Sequence, residues 1–217
     1  MEAIPIIAAL IFSVVVHEVA HAWQARREGD NTADELGRIT LNPISHLDLM
    51  GSVIVPLALH FSGSSFLFGW AKPVPVNPAK YRDPVWGDIR VSMAGIVSNL
   101  ILACLATLVV GILVKLGSVV GPLWGVMDVL IETVYYGIVI NLVLAFFNLV
   151  PIPPLDGSHV VARMLPDSLA HRYREMGRYG ILILMGVFYF LPGAFTYIMW
   201  PVTFLRGIAD GFIRLWV

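Results

Sequence analysis

Charge is what this 217-residue chain has least of, with cysteine scarcer still. Charged residues make up 13% of it and hydrophobic ones 58%, whereas soluble domains run near a quarter charged. That imbalance excludes an ordinary soluble globule and points to a polytopic membrane protein. Cys104 is the only cysteine, so no intrachain disulfide can form; within the apolar run 91–114 it reads as a small core or lipid-facing residue. Net charge is −1, which leaves no basic field to recruit nucleic acid. Internal repeats, low-complexity tracts and long soluble inserts are also missing. The N-terminus has no positive charge before its apolar run, and Glu2 is acidic, so the first segment is expected to be retained rather than cleaved as a signal.

Three apolar segments are long enough to span a bilayer: Ile4 to about Trp23, Val91 to Val114, and about Val129 to Val150. Charges bound each of them. Gly51–Phe61 is apolar but short, and "SGSSFLFGWAKPVPV" after it opposes a continuing helix through its glycines and prolines. A dip into the membrane and back is expected there, with irregular backbone covered by protein or facing water. Tyr179–Leu191 is apolar and is followed by a tail in which Arg206, Asp210 and Arg214 recur every four residues. That spacing predicts one charged helical face, either interfacial at its end or paired with another helix. The expected fold is all-α: three transmembrane helices, a short re-entrant or β segment, and additional C-terminal helices. Residues 1–217 are expected to form a single membrane-embedded domain.

Sidedness follows from Lys and Arg. With these three spans, residues 24–90 and 151–178 share one side and carry eleven Lys and Arg; residues 115–128 carry Lys115 alone. The basic side is expected to be cytoplasmic, in a multi-pass protein of the cell membrane.

Three ionisable groups interrupt the first span. In "SVVVHEVAHAW", His17 and His21 stand four apart, so on a helix both imidazoles project from one face. Two histidines so placed can hold one zinc ion per chain, while Glu18, one position round, can take a proton from water beside it. Nine residues separate His17 from Arg26, which puts His17 roughly 13 Å below the interface. Polar groups at that depth are expensive unless they have a function.

A catalytic zinc wants a third protein ligand. "NLVPIPPLDGSH" ends a span with three prolines, so Asp156 can sit on unwound backbone near the depth of the histidines, with Gly157 relieving crowding. His46 is a rival ligand and His159 a weaker one; His60 and His171 read as structural or solvated. Asn148 can donate to a developing oxyanion, or can serve only to cap its helix. Asn99 in "AGIVSN" shows no chemical partner and reads as packing.

Taken together, "HEVAH", "GRITLNP", "FGWAKPVPVNP", "AGIVSN" and "NLVPIPPLDG" resemble the site-2 protease family of intramembrane zinc metalloproteases, in its compact prokaryotic branch. The resemblance runs from about residue 4 to 165, in the family's order, and the region 178–217 is variable in that family and inherits nothing. It implies His17, His21 and Asp156 as zinc ligands, Glu18 as catalytic base, and Asn148 as a position linked to transition-state support. The partners it implies are the lipid bilayer and a transmembrane protein substrate, cleaved near the cytoplasmic side. This chain has Ile96 where the family often has proline, and it carries no PDZ or CBS-like module.

Two other functions compete with the peptidase: a metal transporter and a catalytically inactive binder. Transport favours ligands distributed along a path, whereas these cluster at one depth, and intact Glu18 speaks against an inactive binder. A helical substrate must be unwound before cleavage, and its freed backbone groups then need partners. "SFLFGWAKPVPV", residues 65–76, is the expected strand edge for that, with Phe68, Gly69 and Trp70 at its centre and Pro73 and Pro75 confining it to an edge. The alternative is a plain interface loop anchored by Trp70.

Overall fold

The computed structural model describes residues 3–55, 58, 61, 71–117 and 124–216. In chain order its α-helices are α1 (Ala3–Glu28), the single turn α2 (Thr32–Glu35), α3 (Pro84–Gly117) and α4 (Trp124–Asn148). After these come α5 (Gly157–Met164), α6 (Asp167–Glu175), α7 (Gly180–Phe190) and α8 (Pro192–Arg214). No strand occurs among the described residues, so the all-α expectation holds. Helices α1, α3 and α4 are each long and apolar enough to cross a membrane.

The helices overrun the spans read from hydropathy, for local reasons. Helix α3 begins at Pro84, where proline's fixed φ suits a first helical position. Asp83 caps it, accepting hydrogen bonds from the N–H groups of Val85 and Trp86, both at 3.0 Å. Helix α4 stops at Asn148, short of the expected Val150, because Pro151 disfavours helical backbone at the residue before it.

The re-entrant expectation meets the structure only in part. Leu49–Ile54 is a π-helix capped by Asp48, whose carboxylate accepts the Gly51 N–H at 2.7 Å. Residues 62–70, including Phe68, Gly69 and Trp70, lie outside the described residues, as does His60. Residues 71–77 have no regular secondary structure; Val74 packs against Ala22 of α1 and Ala33 of α2, and a 3-10 turn follows at Pro78–Lys80.

Helices α3, α4 and α8 share the main apolar core. Ala103 and Val110 of α3 meet Ile138 and Leu142 of α4 and Met199, Val202 and Ala209 of α8. Helix α8 lies antiparallel to α4: the Phe188 ring meets Phe147 at a tilt and Phe195 edge to face near the Asn148 end, while Tyr135 donates its hydroxyl hydrogen to Asp210 at 2.9 Å further along. Arg206 completes that cluster at 3.6 Å from Asp210, and Trp216 packs against Gly111 of α3. The charged face of the tail is therefore paired with a helix, the second of the two arrangements expected for it.

At the other end, the two basic regions expected on one side do meet. Asp88 of α3 is buried and faces His159 Nδ1 of α5 at 3.1 Å and Arg163 Nε at 2.6 Å. Arg90 donates to both carboxylate oxygens of Glu28 of α1 from Nε and Nη2, at 2.7 and 2.8 Å. Asp30, fully buried, accepts from the Thr32 N–H and hydroxyl and from the Asn77 N–H, with Lys80 Nζ at 3.7 Å. These contacts fasten the loops around the mouth of the bundle.

Candidate metal centre

Helix α1 presents Ser13, His17 and His21 to the interior on one face, as four-residue spacing requires. Room for two imidazoles exists because α3 carries Gly95 opposite them. A Cβ there would collide with His21 Nε2 and His17 Cε1, so no residue but glycine fits without displacing the histidines. Asp156 comes from the non-helical return after α4. Gly157 makes that return possible, since a Cβ on it would collide with the Leu149 carbonyl.

Three atoms converge. His17 Nε2 and His21 Nε2 are 3.0 Å apart, and Asp156 Oδ2 lies 3.2 and 3.3 Å from them. Each histidine is held from behind: His21 Nδ1 is 2.7 Å from the Val91 carbonyl, and His17 Nδ1 is 2.5 Å from Asn99 Oδ1. A carbonyl only accepts, so a neutral His21 donates from Nδ1 and presents a lone pair at Nε2. With His17 in the same tautomer, three electron-pair donors face one another with no hydrogen between them. Asp156 Oδ2 has no hydrogen-bond partner although it is buried.

Such a set repels itself unless a cation lies at its centre. The nitrogen and oxygen separations agree with vertices of a tetrahedron about a zinc ion, which at ordinary bond lengths stand about 3.3 Å apart. Two imidazoles and a carboxylate are also the donor types zinc accepts in hydrolytic sites. The residues fit the metal.

Glu18 lies beside the cluster, and its Oε2 accepts the Val74 N–H at 2.8 Å. Val74 belongs to the segment 71–77, which is itself pinned: the Lys72 N–H donates to the His46 carbonyl at 2.9 Å, and Arg38 donates to the Lys72 carbonyl at 3.0 Å.

The remaining candidates lie elsewhere. His46 is buried and its Nε2 faces the Thr40 carbonyl at 2.9 Å, outside the three-residue cluster. His159 belongs to the Asp88 pair, and His171 is an exposed partner of Glu175 at 3.4 Å. Asn148 donates to the Leu144 carbonyl of its own helix at 3.0 Å. Asn99, expected to be packing, is instead fully buried in polar contact with His17. The usable signal was the cost of an amide inside a span; Asn141 carried the same signal and went unread.

Residues 5–191 match the description "Peptidase family M50". The chain belongs to peptidase family M50. Among M50 relatives, a Bacillus subtilis (strain 168) protein bearing a zinc metalloprotease name, YwhC, is 35% identical over 97% of this chain and 90% of its own length. Rip2 of Mycolicibacterium smegmatis, also bearing a zinc metalloprotease name, is 30% identical over 83% of this chain and 64% of its own length. No solved structure matches the chain at a significant level. M50 membership and three apolar crossing helices make this a membrane-embedded zinc peptidase of the site-2 protease type, as its motifs led one to expect.

Proposed function

We propose that the chain is an HExxH-type endopeptidase that cleaves transmembrane substrates within the membrane, near its cytoplasmic face, with His17, His21 and Asp156 holding one zinc ion. The convergence of two histidine Nε2 atoms on a buried carboxylate oxygen without a hydrogen-bond partner carries this reading. The eleven-to-one bias of Lys and Arg supports a cytoplasmic site in the cell membrane.

Zinc, when bound, supplies a Lewis acid that polarises the scissile carbonyl and makes water a better nucleophile. The chain's own residues do the rest. Glu18 takes a proton from the attacking water as the new C–O bond forms, then delivers a proton to the amide nitrogen as the C–N bond breaks. The Val74 N–H fixes one carboxylate oxygen and so aims the other. Asn148 spends one amide hydrogen on Leu144 and keeps a second for the developing oxyanion.

The unwound substrate pairs with the edge of residues 65–76, around Phe68, Gly69 and Trp70. The hydrogen bond that joins Val74 of this segment to Glu18 supports that placement beside the catalytic base.

Metal analysis and cleavage of a single-pass substrate helix test the roles together. His17→Ala, His21→Ala and Asp156→Ala are expected to lose zinc and activity, whereas Glu18→Gln keeps zinc and loses activity. Full zinc in Asp156→Ala with loss in His46→Ala would transfer the third ligand to His46.

A further inference from the structure

Behind His17 runs a series of hydrogen bonds whose direction is dictated from its far end. The Ser13 hydroxyl donates to the Ala9 carbonyl at 2.7 Å. Asn141 Nδ2, from α4, donates to the Ser13 hydroxyl oxygen at 2.8 Å and to the Gly137 carbonyl at 2.7 Å. Asn99 Nδ2, from α3, donates to Asn141 Oδ1 at 2.6 Å, with the Ser13 carbonyl at 3.4 Å. Asn99 Oδ1 then faces His17 Nδ1. Ser13, Asn99 and Asn141 are 1%, 0% and 3% exposed, so no water or lipid headgroup competes for them.

The orientation of an asparagine amide is ordinarily ambiguous. Here it is not. Backbone carbonyls only accept, so turning Asn141 over would set its oxygen against the Gly137 carbonyl and against a serine already donating to Ala9. With Asn141 fixed, only its oxygen faces Asn99, which must answer with its nitrogen. That leaves the Asn99 oxygen for His17, and His17 must donate from Nδ1. Each unmatched contact in this dry interior would cost about 1–3 kcal/mol, so the alternatives are disfavoured at every link.

We propose that Ser13, Asn141 and Asn99 are positioning residues that together fix the tautomer and ring orientation of His17, keeping its Nε2 lone pair aimed at the metal. The proposal rests on His17 being a zinc ligand. It assigns a purpose to polar residues contributed by three separate crossing helices, and it gives the two histidines different supports: His21 leans on a backbone carbonyl that mutation cannot remove, His17 on side chains that it can.

The test follows zinc release from the purified full-length zinc-loaded protein into excess chelator, with 15N shifts of the His17 ring as a second readout. Asn99→Ala is expected to release zinc about 10–100-fold faster, the range for loss of a partner behind a metal-bound histidine. Asn141→Leu, which touches no ligand, should speed release about tenfold by the same effect at one remove. Its His17 ring should show mixed Nδ1 and Nε2 protonation once zinc has left, while the wild-type ring stays in one tautomer. Asn99→Asp can still accept from His17 Nδ1 and should recover most of the slow release. Thr107→Val, on the same helix but outside the series, should behave as wild type. Should Asn99→Ala fail to fold, Asn141→Leu alone decides. Wild-type release and a single tautomer in Asn141→Leu, with zinc lost in His17→Ala, would overturn the proposal and leave the ligand set standing. Zinc retained in His17→Ala would instead overturn the ligand set, and the proposal with it.

Discussion

Polar groups in the bundle interior and polar groups at its loop-bearing rim solve the same problem differently. Inside, Ser13, Asn99 and Asn141 are neutral, wholly buried and linked in one direction. At the rim, Glu28, Asp30 and Asp88 are charged, each buried against a cation that is itself partly exposed: Arg90, Lys80 and Arg163. The difference follows from the surroundings. An ion in hydrocarbon carries a desolvation cost of several kcal/mol that one partner seldom offsets, whereas a neutral amide needs only matched donors and acceptors. Near water the cation keeps part of its hydration, so pairing is cheap and orientation matters less. The interior therefore sets geometry and the rim sets attachment.

That contrast can be broken most severely at Gly95. Gly95→Ala drives a methyl group into both histidines, and loss of bound zinc and of cleavage is expected, with the bundle still inserted. Normal zinc content in that variant would show that the interior is not tightly fitted around the ligands.

A milder effect is expected at the rim. Arg90→Ala leaves the buried Glu28 carboxylate without its two-pronged partner and should lower Tm modestly, because Arg90 is half exposed and water screens the pair. A lower Tm with unchanged zinc release would sharpen the division of labour. Faster zinc release would erase it.

The smallest effect concerns acid. Burial of Asp30 would raise its carboxyl pKa, but the Thr32 hydroxyl, the N–H groups of Asn77 and Thr32, and Lys80 outweigh it, so the pKa lies below the ordinary 3.8. A lowered native pKa adds stability that is present above the ordinary value and is lost as pH falls through the native one. Asp30→Asn should therefore flatten the decline in Tm below about pH 4, where an ordinary aspartate begins to protonate. An unaltered acid limb would rule Asp30 out as its source.

The sequence disclosed those parts of the site that are encoded locally. His17, Glu18 and His21 lie within five residues, and helical periodicity alone puts both imidazoles on one face. Asp156 was legible because prolines announce the end of a helix. Asn99 was not, since its partners His17 and Asn141 are 82 and 42 residues away and no spacing rule reaches that far. Helix starts were obscured for a related reason: hydropathy sees the bilayer, while Asp83 and Pro84 begin α3 outside it. The contact between Val74 and Glu18 involves a backbone N–H, a group every residue but proline possesses, so nothing in the residue's identity could have revealed it. The charged tail left two arrangements open, and only Tyr135 on a distant helix decided between them.

The return that delivers Asp156 also orders events while the chain is being made. The histidines enter the membrane with the first helix, Asn99 with α3 and Asn141 with α4, and the carboxylate emerges after all of them. A nascent chain halted before residue 156 holds two imidazoles and a glutamate but no third donor to complete the set. On the proposed ligand set, fragments left by interrupted translation would carry no finished cutting centre.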